Sequence, residues 1–352
     1  MKIIEFGSEF DWDSTLPFLT DYSKGFFDVN NLQRYRSGRD ALKAIAKFYK
    51  DRTKTILLPA LCCESMVSPF VMNGYKPVFY KTNGDYTANL IDIEAKVEKN
   101  CLFLYMPYFG IEPVDFILLK RWKERFNIIC IEDRTQNIQY EKDSVADITI
   151  LSIRKWLSVP DGGFLWSSEN FSANLLTESK FLSIRSDAMK KKSEYLLSGK
   201  EEIKIEYRQM LQLSAQILDE NSNAYNISSE SEEILSHIDF EKILFLRQKN
   251  VQVLKTLLDP IVKQGKIKYI TQNPKKSTLY FPILVNKRDE LQKRLAEKNI
   301  YCPVIWPVPQ EAHGVCEVAE YTANHMLALP CDQRYDQKDM VYIAKILDSL
   351  LD

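Results

Sequence analysis

A chain of 352 residues, 45% hydrophobic and 27% charged, is long enough to bury a large core and to divide into two domains. Its formal net charge of -1 and pI near 6.4 provide no global basic field of the kind that draws a protein to nucleic acid or to an anionic membrane. Any anionic ligand must be gripped locally, by a helix N-terminus or by a few Arg and Lys.

The opening stretch, MKIIEFGSEFDWD, turns acidic where a secretory leader would need an apolar core. No uncharged apolar run approaches the ~20 residues of a membrane span, so a cytoplasmic location is expected. Residues 40–49 place apolar side chains at helical spacing. Thr55-Ile56-Leu57-Leu58-Pro59 is a short apolar run that reads as a buried strand, and residues 65–73 predict a helix closed by Gly74. Strands are then expected at 77–80, 101–105, 128–131, 147–151 and 163–166, with a helix at 117–126. Continuous apolar strands alternating with helices imply a mostly parallel sheet covered on both faces. Residues 172–220 read as long charged helices without a strand, 221–230 as a polar loop, and 231–258 as one helix bridging two domains. A strand from Thr278 to Val285 opens a second α+β segment. The expected division is a large α/β domain with an N-terminal arm over 1–235 and a smaller α+β domain over 236–352.

The seven cysteines are odd in number and lie mostly in apolar runs, as reduced core thiols of a cytoplasmic protein do. Adjacent Cys62-Cys63 lacks the C-x-x-C spacing of a zinc site, and the three histidines are far apart, so no metal is expected. Neither a dinucleotide fingerprint nor a P-loop is present.

Three segments fall at the ends of predicted strands, where open α/β sheets place ligands. Ser37-Gly38-Arg39-Asp40 opens a helix; it reads either as an ordinary N-cap or as a phosphate cup, where glycine allows close approach and the free N–H groups attract an anion. Asp133 and Gln136 follow a buried strand; a carboxylate there caps the next turn, or stabilises a cationic nitrogen placed opposite it. Lys155 lies between a buried strand and the turn Pro160-Asp161-Gly162-Gly163. Such a lysine is a solvated loop residue, or a desolvated amine of lowered pKa that acts as a nucleophile.

In this order of phosphate loop, acid and lysine, the sequence resembles the DegT-type sugar aminotransferases, a branch of the fold-type I pyridoxal phosphate (PLP) enzymes. The resemblance covers most of the chain. It runs through Ser37–Leu42, Leu58-Pro59-Ala60, Gly74–Phe79, Asp133-x-x-Gln136, Lys155 seven residues before Gly162-Gly163, and Leu327-Ala328-Leu329-Pro330. It implies the aspartate-aminotransferase fold, with a large mostly parallel-sheet domain and a smaller C-terminal α+β domain. The implied activity moves an amino group from an amino acid, glutamate being the expected donor, to a nucleotide-linked keto sugar in polysaccharide or cell-surface sugar biosynthesis. By the same resemblance, Lys155 bonds the cofactor and shuttles the proton, Asp133 pairs with the pyridine nitrogen and Gln136 with the ring hydroxyl. Ser37, Gly38, Arg39 and Ser152 lie near the phosphate, Cys63 lies at the cofactor face, and the enzyme is a homodimer.

Departures from the family pattern cluster at the rim. Ser152 stands only three residues before the lysine, nearer than the family serine. Cys63 occupies the position of the aromatic that stacks on the cofactor, with Tyr108 or Phe109 as substitutes. Glu206-Tyr207-Arg208 lacks the family's Asn, leaving Arg208 to reach a partner subunit's phosphate, and Val304-Ile305-Trp306-Pro307 replaces a His-Tyr pair before Pro. Another PLP reaction on this scaffold, or a non-catalytic relative acting in binding or assembly, are the alternative readings.

Overall fold

The protein was analysed as a computed structural model that describes residues 3–21, 30–111, 113–138, 144–171, 176, 178–271 and 278–351. In chain order its first half contains β1 (Leu32–Tyr35), α1 (Gly38–Tyr49), β2 (Thr55–Pro59), α2 (Glu64–Val71), β3 (Lys76–Tyr80), α3 (Leu90–Lys96), β4 (Leu102–Tyr105), α4 (Phe116–Phe126), β5 (Ile129–Asp133), β6 (Ile148–Leu151) and β7 (Gly163–Trp166). The second half contains α5 (Ser179–Ser198), α6 (Glu201–Ile217), α7 (Ser229–Ser236), α8 (Phe240–Lys263), β8 (Ile267–Tyr269), β9 (Phe281–Val285), α9 (Arg288–Ala296), α10 (Glu317–His325), β10 (Met326–Leu329) and α11 (Gln337–Leu350).

Seven strands form one sheet in the order β1-β7-β6-β5-β4-β2-β3. β2 to β6 run parallel, while β7 is antiparallel to both β6 and β1. The apolar runs are continuous because both faces are covered. Ile56 and Leu58 of β2, with Leu102 and Leu104 of β4, join one core beside α1 and α2. The alternate residues Leu57, Phe103 and Tyr105 join another beneath α3 and α4. A second, antiparallel sheet, β10-β9-β8, packs on α8, α9 and α11 through Leu254, Leu258, Leu295, Ile343 and Leu347. Phe6 of the N-terminal arm enters the same core.

The expected mostly parallel sheet and its strands are present; several elements differ from the sequence reading. β1, α3 and β8 are short and carry no distinct apolar period, so they escaped notice. The helix expected over 231–258 is two helices, α7 and α8. Between them the backbone turns to pair with the arm, with the Thr20 N–H donating to the His237 carbonyl and the Asp239 N–H to that of Phe18, both at 2.8 Å. Asp239 then caps α8, its side chain accepting from the Lys242 N–H. α8 continues through Pro260 to Lys263, since a proline in the final turns forfeits a single backbone bond. Of the helical stretch expected from 172, residues 172–175 and 177 lie outside the described residues. All seven cysteines are free thiols, and all but Cys63 are buried. Among the described residues no cluster could hold a metal ion, and no helix is long and apolar enough to cross a membrane.

Candidate active site

β5 ends in Asp133, β6 runs into Ser152, and the chain then makes a single 3-10 turn over Ile153–Lys155. Thr135 stitches these segments together. Its N–H donates to Asp133 Oδ1 at 2.8 Å, its Oγ1 accepts from the Ser152 N–H at 3.0 Å, and its carbonyl accepts from the Trp156 indole at 2.9 Å. Trp156 is fully buried with the Arg247 guanidinium over its ring at 4.6 Å, so the lysine turn rests on a packed base.

Facing the turn is the start of α1. Ser37 caps the helix, its Oγ accepting from the Asp40 N–H at 3.2 Å and donating to Asp40 Oδ2 at 2.5 Å. Buried Arg36 grips the same carboxylate with two bonds of 3.0 and 2.9 Å and reaches Glu178 at 2.8 Å. Removing one member of such a pair strands a buried charge, at a cost of about 3–5 kcal/mol. The double glycine brings this cup against the lysine turn. The Gly162 N–H donates to the Arg36 carbonyl at 2.7 Å. A Cβ on Gly163 would lie 2.1 Å from Ser37 C, and one on Gly38 would lie 3.3 Å from Ser152 Cβ. The first N–H groups of a helix have no partner within it, so the loop presents donors and a positive dipole end.

A cavity of about 70 Å³ opens where these segments meet. It is lined by Ser37, Gly38, Arg39, Cys63, Asp133, Gln136, Ser152 and Lys155, which brings together every site residue expected from the sequence. Two further lining residues are Arg154 and Trp306, the latter from the 304–307 segment whose departure from the family pattern places it at the rim. Arg154 adjoins the lysine, and its charge beside Lys155 is the one signal the sequence gives of it. Trp306 comes from a segment distant in sequence, and its signal is that residues 304–307 stand where the family has a His-Tyr pair before Pro. The suggested aromatic substitutes are corrected: neither Tyr108 nor Phe109 lines this cavity. The Tyr108 hydroxyl is spent on the Leu61 carbonyl at 2.5 Å, its ring packs against Trp306 with centroids 6.5 Å apart, and Phe109 is buried in the core. Cys63 caps α2 with its Sγ 2.9 Å from Ser65 Oγ. Arg208 is exposed on α6, 5.3 Å from the Tyr301 ring of its own chain.

A second cavity, of about 320 Å³, adjoins the first and shares Gln136, Arg154, Lys155 and Trp306 with it. Its outer wall is the N-terminal arm, Gly7 to Phe10. Arg334 straps the arm down: its guanidinium pairs twice with Asp332 at 2.8 Å and donates to the Ser8 carbonyl at 2.9 Å.

Burial pushes the Lys155 amine below its ordinary value of 10.5, and the neighbouring Arg154 pushes the same way. Burial pushes the Asp133 carboxyl up, against its bonds from Thr135 and the attraction of Lys155. A cation beside Asp133 would restore its ionised form. Gln136 Oε1, Arg39 Nε and Arg154 Nε are buried without a hydrogen-bond partner. Such orphaned atoms are costly unless a ligand completes them. A desolvated amine, an unsatisfied carboxamide, a carboxylate awaiting a cation and a glycine-lined helix start form a donor set that fits pyridoxal phosphate.

A family model, the DegT/DnrJ/EryC1/StrS aminotransferase family, matches residues 35–348. A DegT/DnrJ/EryC1/StrS aminotransferase from Brucella abortus superposes with a TM-score of 0.63 at 16% identity, over 93% of this chain and 87% of that one. Spr1654 of Streptococcus pneumoniae, a sugar aminotransferase by assignment and in its PLP form, gives 0.65 at 14% identity over 100% of both chains. PseC of Helicobacter pylori, an aminotransferase involved in pseudoaminic acid biosynthesis, gives 0.64 at 13% identity over 99% of both. No curated protein sequence matches the chain. At these identities the superpositions speak for the fold alone, which is that of PLP-dependent aminotransferases.

Proposed function

Because this chain belongs to the DegT/DnrJ/EryC1/StrS aminotransferase family, we propose that it transfers an amino group from an amino acid, glutamate being the expected donor, to the carbonyl of a nucleotide-linked keto sugar. It is a PLP-dependent aminotransferase. When bound, the cofactor supplies the electron sink for the exchange, and the protein sets geometry and protonation.

In this reading Lys155 Nζ would hold the cofactor and, as a free amine, would take up and return the proton of the donor carbon. Its depressed pKa suits both tasks, because more of the amine is neutral at moderate pH. Asp133 would keep the ring nitrogen protonated, and Gln136, whose Oε1 is without a partner among the described residues, would place its carboxamide beside the ring hydroxyl. Ser37, Gly38, Arg39 and Ser152 hold the phosphate at the start of α1. Cys63 flanks the ring, with Trp306 as the aromatic wall of the cavity. A homodimer working in the cytoplasm, on sugars destined for polysaccharide or the cell surface, completes the proposal. The α5–α6 hairpin exposes Leu197, Ile205 and Leu213, apolar side chains that a second copy would cover, which supports the dimer.

The observation that carries the reading is the meeting of Asp133, Gln136 and Lys155 with the helix cup in one cavity. The test is to incubate the PLP-loaded protein with glutamate and a panel of nucleotide-linked keto sugars, and to follow each sugar by mass. Replacement of a carbonyl oxygen by an amine in at least one sugar is expected. A protein that takes up PLP yet converts no member of the panel overturns the sugar assignment. One that takes up no PLP overturns the enzymatic reading of the site.

A further inference from the structure

The large cavity beside Lys155 is bordered by four cationic side chains: Arg154, Lys155, Arg247 and Arg334. Their partners differ. Arg334 is neutralised by Asp332. Arg247 is buried and bonded at each of its three nitrogens, to Gln333 Oε1 at 2.8 Å and to the carbonyls of Leu279 and Trp156 at 3.0 and 3.3 Å. The guanidiniums that lie electrostatically nearest to Arg154 are also paired, Arg39 with Asp219 at 2.9 Å and Arg185 with Glu9 at 2.5 Å. The Arg154 backbone N–H donates to the Gly162 carbonyl, but its guanidinium makes no hydrogen bond or ion pair among the described residues, and its Nε is buried. Burial costs this guanidinium solvation that the attraction of Glu9 and Asp40 offsets without a bond, so an anion arriving within hydrogen-bond reach is stabilised there.

We infer that Arg154 receives the α-carboxylate of the amino-acid donor. The inference rests on the proposed role of Lys155 as the residue that bonds the cofactor. In an α-amino acid the carboxylate oxygens lie only ~3 Å from the amine nitrogen, because two bonds of about 1.5 Å separate the nitrogen from the carboxyl carbon. A donor that presents its amine where Lys155 points must therefore bring its carboxylate close to the lysine. Arg154 is a cation there whose guanidinium has no bonded anion among the described residues, and it and Lys155 line both the narrow cavity and the large one. The cofactor phosphate has its own seat at Ser37–Arg39, and Arg39 borders the narrow cavity alone. The planar fork of Arg154 matches a carboxylate with two parallel bonds, which a lysine in its place cannot reproduce.

The test uses two probes that lack an α-hydrogen and so bind without turning over. One is 2-methylglutamate; the other is 4-amino-4-methylpentanoate, in which a methyl group replaces the α-carboxylate. Each is titrated into PLP-loaded wild type, Arg154→Lys and Arg154→Gln, and the shift of the cofactor absorption band gives Kd. PLP affinity is measured separately on the cofactor-free proteins. In wild type, 2-methylglutamate binds roughly 10- to 100-fold more tightly than its methyl counterpart, the range expected of charge-assisted hydrogen bonds. Arg154→Gln abolishes that preference, Arg154→Lys retains part of it, and PLP affinity changes less than about threefold. Equal binding of the two probes by wild type overturns the inference, whether or not Arg154→Gln folds. A preference that survives in Arg154→Gln also overturns it. A tenfold or greater loss of PLP affinity in that variant overturns it as well, and assigns Arg154 to the cofactor phosphate. Failure of wild type to take up PLP sinks the reading of Lys155 as well, which separates the two failures.

Discussion

Gly163 is the residue on which the apposition of the phosphate cup and the lysine turn depends, and Gly163→Ala measures that dependence. The glycine needs no unusual backbone, so the effect comes from contact alone. The added methyl would sit 2.1 Å from Ser37 C, 2.2 Å from Ser37 O and 2.5 Å from Gly38 N. Ordinary carbon contacts lie at about 3.5–4 Å, so the Ser37–Gly38 peptide must retreat by more than an ångström. It cannot retreat freely, because Arg36 is held by Asp40, Glu178 and the Gly162 N–H. Overpacking of this kind costs about 3 kcal/mol, at the upper end for an added methylene, because backbone has to move. In a chain of this size that lowers Tm by roughly 4–6 °C. Where the loop yields instead, the phosphate seat is displaced by about 1 Å, and transamination slows roughly 100-fold, the scale on which such misplacement acts. Calorimetry and the transamination rate read the two outcomes. Gly84→Ala is the control, since nothing lies within 4 Å of its Cβ position. A Gly163→Ala protein within 1 °C and threefold of wild type, on the scale set by these estimates, would refute the packing argument.

Other substitutions separate the chemical roles. Lys155→Ala should still admit PLP noncovalently but yield no borohydride-stable adduct, and turnover should fall to background; an adduct trapped on the active-site peptide of this variant contradicts the lysine assignment. Asp133→Ala should keep the covalent adduct and its colour while losing roughly 10²–10³-fold in transamination rate, and unchanged turnover would remove Asp133 from the mechanism. Cofactor capture by Lys155 requires the neutral amine, and burial lowers its pKa from 10.5, so the capture rate in stopped-flow absorbance should level off at a pH below 10.5. A rate still climbing through that value would show an ordinary solvated lysine.

The sequence alone determined the parallel sheet, because β2, β4, β5 and β6 are buried on both faces and their apolar runs are a local record of that burial. It also displayed Asp133, Gln136, Lys155 and the double glycine, whose chemistry and spacing are properties of residue identity. The tertiary structure decided what those residues face. β1 carries little apolar signal and becomes a strand by pairing antiparallel with β7, which sets Tyr35 opposite Gly163 and lays the cup on the lysine turn. The break between α7 and α8 arises from backbone bonds to the arm, which lies more than 200 residues upstream. Trp306 could not be placed at the cavity from its neighbours in sequence, because a wall formed by segments 150 residues apart depends on how the two sheets pack. Arg154 was plain in the sequence as a charge. That its guanidinium has no bonded partner among the described residues is a property of the side chains around it, and only the folded arrangement fixes that.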